Sequence, residues 1–117
     1  MDKKELKQIF KKYKNMYFLL KDKNIHFGWG VDSETWIPHE KIFIGRHGVH
    51  RPDVTLTPYE IERVEYTKPG LFKAGILTIV GTNGQKIAFE FKDKVNMKTA
   101  DMFNECLALY KQYNLGE

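Results

Sequence analysis

Apolar residues along the chain change their spacing twice, and each change separates a helical stretch from the strands. Within DKKELKQIFKKYK (2–14), Leu6, Ile9, Phe10 and Tyr13 recur at i, i+3, i+4 and i+7, the single stripe of an amphipathic helix. Lys3, Lys7, Lys11 and Lys14 form a second stripe beside it. From residue 16 the period shortens to two. MYFLLKDKNIHFGWG (16–30) predicts two strands joined by a polar turn at 21–24, with Ile25, Phe27 and Trp29 alternating with His26 and Gly28. VDSETWIPHEK predicts a loop with a short strand around 35–37, KIFIG (41–45) a brief apolar strand, and RHGVHRPD (46–53) a connection. Val54 and Leu56 alternate again before Thr57-Pro58 interrupts the pattern.

The second half is more strongly punctuated. Residues 61–67 are rich in β-formers and end at Lys68-Pro69-Gly70, a turn signal in which Pro fixes φ and Gly permits positive φ. GILTIVG (75–81) is a near-continuous apolar strand. Asn83-Gly84 then predicts a tight hairpin into QKIAFEF, where Ile87, Phe89 and Phe91 share one face. The pattern finally returns to helical spacing from Met97 to Tyr113. Asn96 is the expected N-cap, Ala100, Phe103, Cys106, Leu107 and Tyr110 form the core stripe, and Gly116 lies past the end. Helix, about seven short strands and helix make an α+β chain. Successive short strands with turn signals predict an antiparallel barrel or sandwich, plugged at one open end by Phe103 and Leu107.

Length and composition narrow this picture. The chain has 117 residues, 42% hydrophobic and 29% charged, as expected of one globular domain. Its single cysteine, Cys106, excludes an intrachain disulfide framework. The apolar run from Met16 to Leu20 is too short for a signal peptide or a membrane span, so the expectation is a cytoplasmic protein. The net charge of +4 is unevenly spread: residues 1–24 carry a net +5, and the remainder is close to neutral. Any argument for anionic partners therefore starts from the N-terminal segment.

VTLTPYEIERVEYTKPGLFKAGILTIV, NGQKIAFEF and NMKTADMFNECLALYKQY together resemble a pleckstrin-homology-like (PH-like) domain of the small bacterial type. Ile61, Val64-Glu65, the Gly75–Val80 strand, Asn83-Gly84 and the closing amphipathic helix hold the places of that pattern. The resemblance covers residues 54–113 and is looser over 16–53. It implies a bent antiparallel barrel or sandwich of about seven strands with a C-terminal capping helix, here with an extra N-terminal helix. The division it suggests is a basic amphipathic helix at 1–15 and a PH-like domain at 16–115. It also implies no catalysis and no cofactor. Such domains bind lipid headgroups, peptides or other domains, or serve in assembly. Lipid-binding members often carry Lys and Arg on the first hairpin. This chain offers Lys21 and Lys23 there, then His26 and Trp29 rather than Arg.

The candidate chemistry divides into clusters. Glu60, Glu62, Arg63 and Glu65 supply carboxylates, which do acid–base work only if burial drives their pKa values apart; the expectation is a solvated strand. His39, His47, His50 and Asp53 have the residue types of a metal site without the spacing of a helix-borne zinc motif. Cys106 falls on the core stripe, Ser33 is the one serine, and no phosphate-binding glycine motif occurs. Trp29 shares parity with core positions, which leaves Trp36 as the aromatic expected to make a contact. Strand faces of mixed charge disfavour nucleic acid. The leading expectation is a non-enzymatic module acting by association with a protein partner or with itself. A second is peripheral binding to anionic membrane through Lys3, Lys7, Lys11, Lys14, Lys21 and Lys23. A third is a small metal-dependent enzyme using His47, His50 and Asp53.

Overall fold

Asp2 opens the first helix: its carboxylate accepts the Glu5 N–H at 2.9 Å, satisfying one of the free donors of helix α1 (Lys3–Phe10). The computed structural model describes residues 2–21, 24–47 and 51–116. The strands follow as β1 (Met16–Leu19), β2 (His26–Trp29), β3 (Ile42–Gly45), β4 (Val54–Leu56), β5 (Ile61–Tyr66), β6 (Gly75–Gly81) and β7 (Lys86–Phe91), and the chain closes with helix α2 (Val95–Gln112). The first four strands form one antiparallel sheet in sequential order, and the last three form another.

The two sheets do not close into a barrel. They meet at one corner, where Leu20 bridges Phe91 and the Lys21 N–H donates to the Glu90 carbonyl at 2.8 Å. On the other side β4 is only three residues long, and Thr57-Pro58 leads into a 3-10 turn over Pro58–Glu60 that turns the backbone away before β5 begins. The predicted barrel is therefore an open pair of sheets with α2 packed against both.

The core lies between the sheets and α2. Phe103 is the centre of the plug, its ring set against those of Phe18, Phe27 and Trp29. Ala100, Cys106, Leu107 and Tyr110 are buried with it, the stripe read from the sequence. The stripe of α1 is also consumed. Phe10 and Tyr13 are fully buried in this core, and Leu6 and Ile9 pack against its edge. Burial of two such rings supplies the energy that an eight-residue helix lacks on its own.

Several local expectations change in the folded chain. The strand expected around 35–37 is a turn, with a lone bridge between Val31 and Pro38. Asn96 does not cap α2. Asp93 accepts the Val95 N–H at 3.0 Å instead, and Asn96 is buried. The left-handed residue after α2 is Asn114, at φ 53, rather than Gly116. The 75–91 hairpin forms as expected, with Gly84 at φ 88 in its turn.

Candidate functional site

The carboxylates of β5 stand in solvent. A register shift between Ile61 and Arg63 turns both Glu62 and Arg63 outward. Arg63 then lies between its neighbours, 2.8 Å from Glu62 and 2.7 Å from Glu65, with all three side chains exposed. The two carboxylates hold the Arg63 guanidinium pKa above its usual value, Glu65 more than Glu62. Glu60 accepts the Thr57 N–H at 3.0 Å, a local cap of the 3-10 turn.

The histidine loop is organised by its backbone. Asp53 accepts the Arg46 N–H at 2.9 Å, while His47 is exposed and His50 lies outside the described residues. Among the described residues, no three His, Cys, Asp or Glu side chains converge as metal ligands would. Burial, and then Glu105, pushes the Cys106 thiol up to about 12, so the thiolate is scarce at neutral pH.

The sequence-predicted binding residues fall at two opposite ends. Lys3, Lys11 and Lys14 are exposed and Lys7 is half-buried, on the segment whose Lys12 pairs with Glu105 of α2 at 3.0 Å. Trp36 is half-buried at φ 59 in a turn of that same end, after the last residue of β2. Asp32 builds the turn: its carboxylate accepts the N–H groups of Glu34 and Thr35 at 2.9 Å each, and these bonds hold its pKa below the usual carboxylate value. Lys21 lies at the other end, paired with Glu90 at 3.0 Å, and Lys23 lies outside the described residues. The expected lysine set is therefore divided.

The most conspicuous surface feature was not among these expectations. In the hairpin between β5 and β6, Thr67 N–H donates to the Ile76 carbonyl at 2.9 Å and Gly70 N–H to the Lys73 carbonyl at 2.8 Å. These bonds leave Leu71 and Phe72 as the tip, 91% and 97% exposed. The signal in the sequence was an apolar pair between Pro69-Gly70 and Lys73, where strand alternation had already stopped. Isolated exposed apolar residues are ordinary, but two adjacent large ones on a protruding turn are not.

No protein-family model matches the chain, and no curated protein matches it at a significant level. The geometry of the surface therefore carries the functional argument. Among the described residues, no helix is long and apolar enough to cross a membrane.

Proposed function

We propose that the chain is a non-enzymatic, PH-like module that works by association, meeting its partner through the Leu71–Phe72 tip. The near-complete exposure of these two side chains is the observation that carries this reading. Two antiparallel sheets of four and three strands, followed by a helix packed on both, support the PH-like resemblance. The association reading is further supported by the titratable groups: Arg63 neutralises its carboxylate neighbours in solvent, and Asp53 is engaged by backbone. The surfaces first expected to make contact are less available. The apolar face of α1 is packed into the core.

The test is photocrosslinking in cells, with a photoreactive residue placed at position 72, 36 or 7 in turn. Efficient adducts at position 72, to protein or to lipid, are the expected result. Adducts confined to position 36 or 7 would move the contact surface to the Trp36 turn or to α1. No adduct at any of the three would remove the association reading.

A further inference from the structure

The partner of this tip has a chemistry that the surrounding charge defines. One row of cross-strand partners runs through both sheets. Gly45 pairs with His26 and His26 with Leu19. The adjacent Leu20 bridges Phe91, and Phe91 pairs with Gly75. The Leu20–Phe91 bridge is antiparallel, so 67–74 and 92–95 leave this row on one side while 20–25 and 46–53 leave it on the other, and the Leu71–Phe72 tip shares its side with the connection into α2. Val95, 47% exposed, stands there too.

This end is basic. Lys68 and Lys73 flank the tip, and Lys92 and Lys94 follow β7. Among the described residues none of these four forms an ion pair. The same two segments hold one acid, Asp93, whose carboxylate accepts the Val95 N–H and keeps its charge. Four lysines against one carboxylate leave a net positive charge around a projecting apolar point.

We infer that this end inserts Leu71 and Phe72 into an anionic lipid bilayer while the surrounding Lys side chains sit among the headgroups. This rests on the association reading and names its partner. A bilayer accepts a protruding Leu-Phe pair without a complementary pocket, whereas a protein partner must supply one. Lys and Arg keep their charge at headgroup level while their stems follow the apolar residues inward. The negative potential of an anionic leaflet attracts basic residues that lie within a Debye length. The lysines of α1 have no comparably exposed apolar residues beside them, since Phe10 and Tyr13 are inside the core and Leu6 and Ile9 are half-buried against it.

The full chain is to be sedimented with vesicles of phosphatidylcholine alone and with about 30% phosphatidylserine, at low and high salt. Binding is expected only to the anionic vesicles and to weaken with salt. The double variant Leu71→Ser/Phe72→Ser should keep the parent's urea midpoint, because both side chains are exposed, and should lose binding by about tenfold or more. A Phe72→Trp variant should gain quenching by brominated lipids beyond that of the parent. Substituting Lys3, Lys7, Lys11 and Lys14 by Ser should leave binding in place.

No binding of the parent to anionic vesicles at low salt would overturn the inference, as would binding unaffected by the double variant. So would loss of binding on Lys68→Glu/Lys73→Glu without extra quenching of the Phe72→Trp variant, which would mean surface attraction without insertion. If position 72 crosslinks to a protein, or the tip drives self-association in light scattering, while vesicles do not bind, the lipid inference fails and the association reading stands. Absence of any crosslink at position 72 removes the lipid inference, and the association reading then rests on positions 36 and 7.

Discussion

Asn96 and Asn104, eight positions apart on α2, make the same pair of hydrogen bonds to the edges of different sheets. Asn96 accepts from the Leu19 N–H at 2.9 Å and donates to the Leu19 carbonyl. Asn104 accepts from the Val64 N–H at 2.8 Å and donates to the Val64 carbonyl at 2.9 Å. Each amide thus substitutes for a neighbouring strand. Eight helical residues span about 12 Å, so one helix satisfies β1 of the first sheet and β5 of the second. An edge strand left bare is a template for unwanted pairing. Here both edges are met by side chains of the element that plugs the core.

Removing either amide strands a backbone donor and acceptor at a part-buried edge. Asn104→Ala and Asn96→Ala should each lower unfolding stability by about 2–3 kcal/mol, the cost of unmade buried hydrogen bonds. Urea denaturation followed by far-UV circular dichroism checks this. Asn104→Asp keeps the acceptor and loses the donor, so it should remain destabilised, whereas stability equal to the parent would contradict the proposed bonding.

The Tyr13 hydroxyl donates a hydrogen bond to the Glu105 carboxylate, joined there by Lys12. These two donors, Tyr13 first, hold the Glu105 pKa below the usual carboxylate range. A carboxyl depressed on folding stabilises the protein above its unfolded value of about 4.3 and loses that contribution as pH falls through the lower folded value. Stability should therefore decline on acidification below about pH 4 partly through this contact. Glu105→Gln should show a flatter profile over that window in denaturant titrations at stepped pH. A slope identical to the parent's would rule out the contribution.

Cys106 is fully buried on the face of α2 that meets the core. Its thiol, raised to about 12 by burial first, should react slowly with an aromatic disulfide reagent at pH 8 in the native protein and fully once unfolded. A group raised on folding keeps its stabilising contribution below the unfolded pKa, about 8.5, and loses it as pH climbs toward the folded value. Alkaline titration should therefore weaken the fold. Cys106→Ala should moderate that loss, and Cys106→Ser should cost more than Cys106→Ala because it buries a hydroxyl.

Gly75 stands at the base of the hairpin that carries Leu71 and Phe72. A Cβ there would lie 2.5 Å from the Thr67 carbonyl oxygen and 2.7 Å from the Phe91 ring. The oxygen belongs to the backbone and cannot turn aside as a side chain does. Gly75→Ala should therefore cost about 1–3 kcal/mol, the range for overpacking. It should also speed amide exchange at Ile76 and Thr67, which bond across this site. Unchanged exchange at both would show that the hairpin base tolerates the methyl.

The strands, the closing helix and its buried stripe were legible because their signals are local. Period-two alternation places Phe27 and Trp29 inside whatever the sheets pack against, and both are buried. The Asn83-Gly84 hairpin follows from φ > 0 alone. Asn96 was misread for an equally local reason. Asparagine near a helix start favours a cap, and nothing nearby in the sequence shows that Leu19 will present an edge to it. Trp36 was read as a contact residue because a loop aromatic invites that role, but its side chain is half-buried in its turn.

By itself, then, the chain's pattern determined which residues turn inward and which stretches become strand or helix, since both depend on neighbours within a few positions. Only the tertiary structure decided that the sheets stay open rather than closing, that two asparagines cover their edges, and that the N-terminal lysines and Lys21 stand at opposite ends. It also decided that Leu71 and Phe72 protrude beside uncompensated lysines. Those outcomes depend on pairing order and register between residues far apart in sequence, and no periodicity within a single segment encodes them.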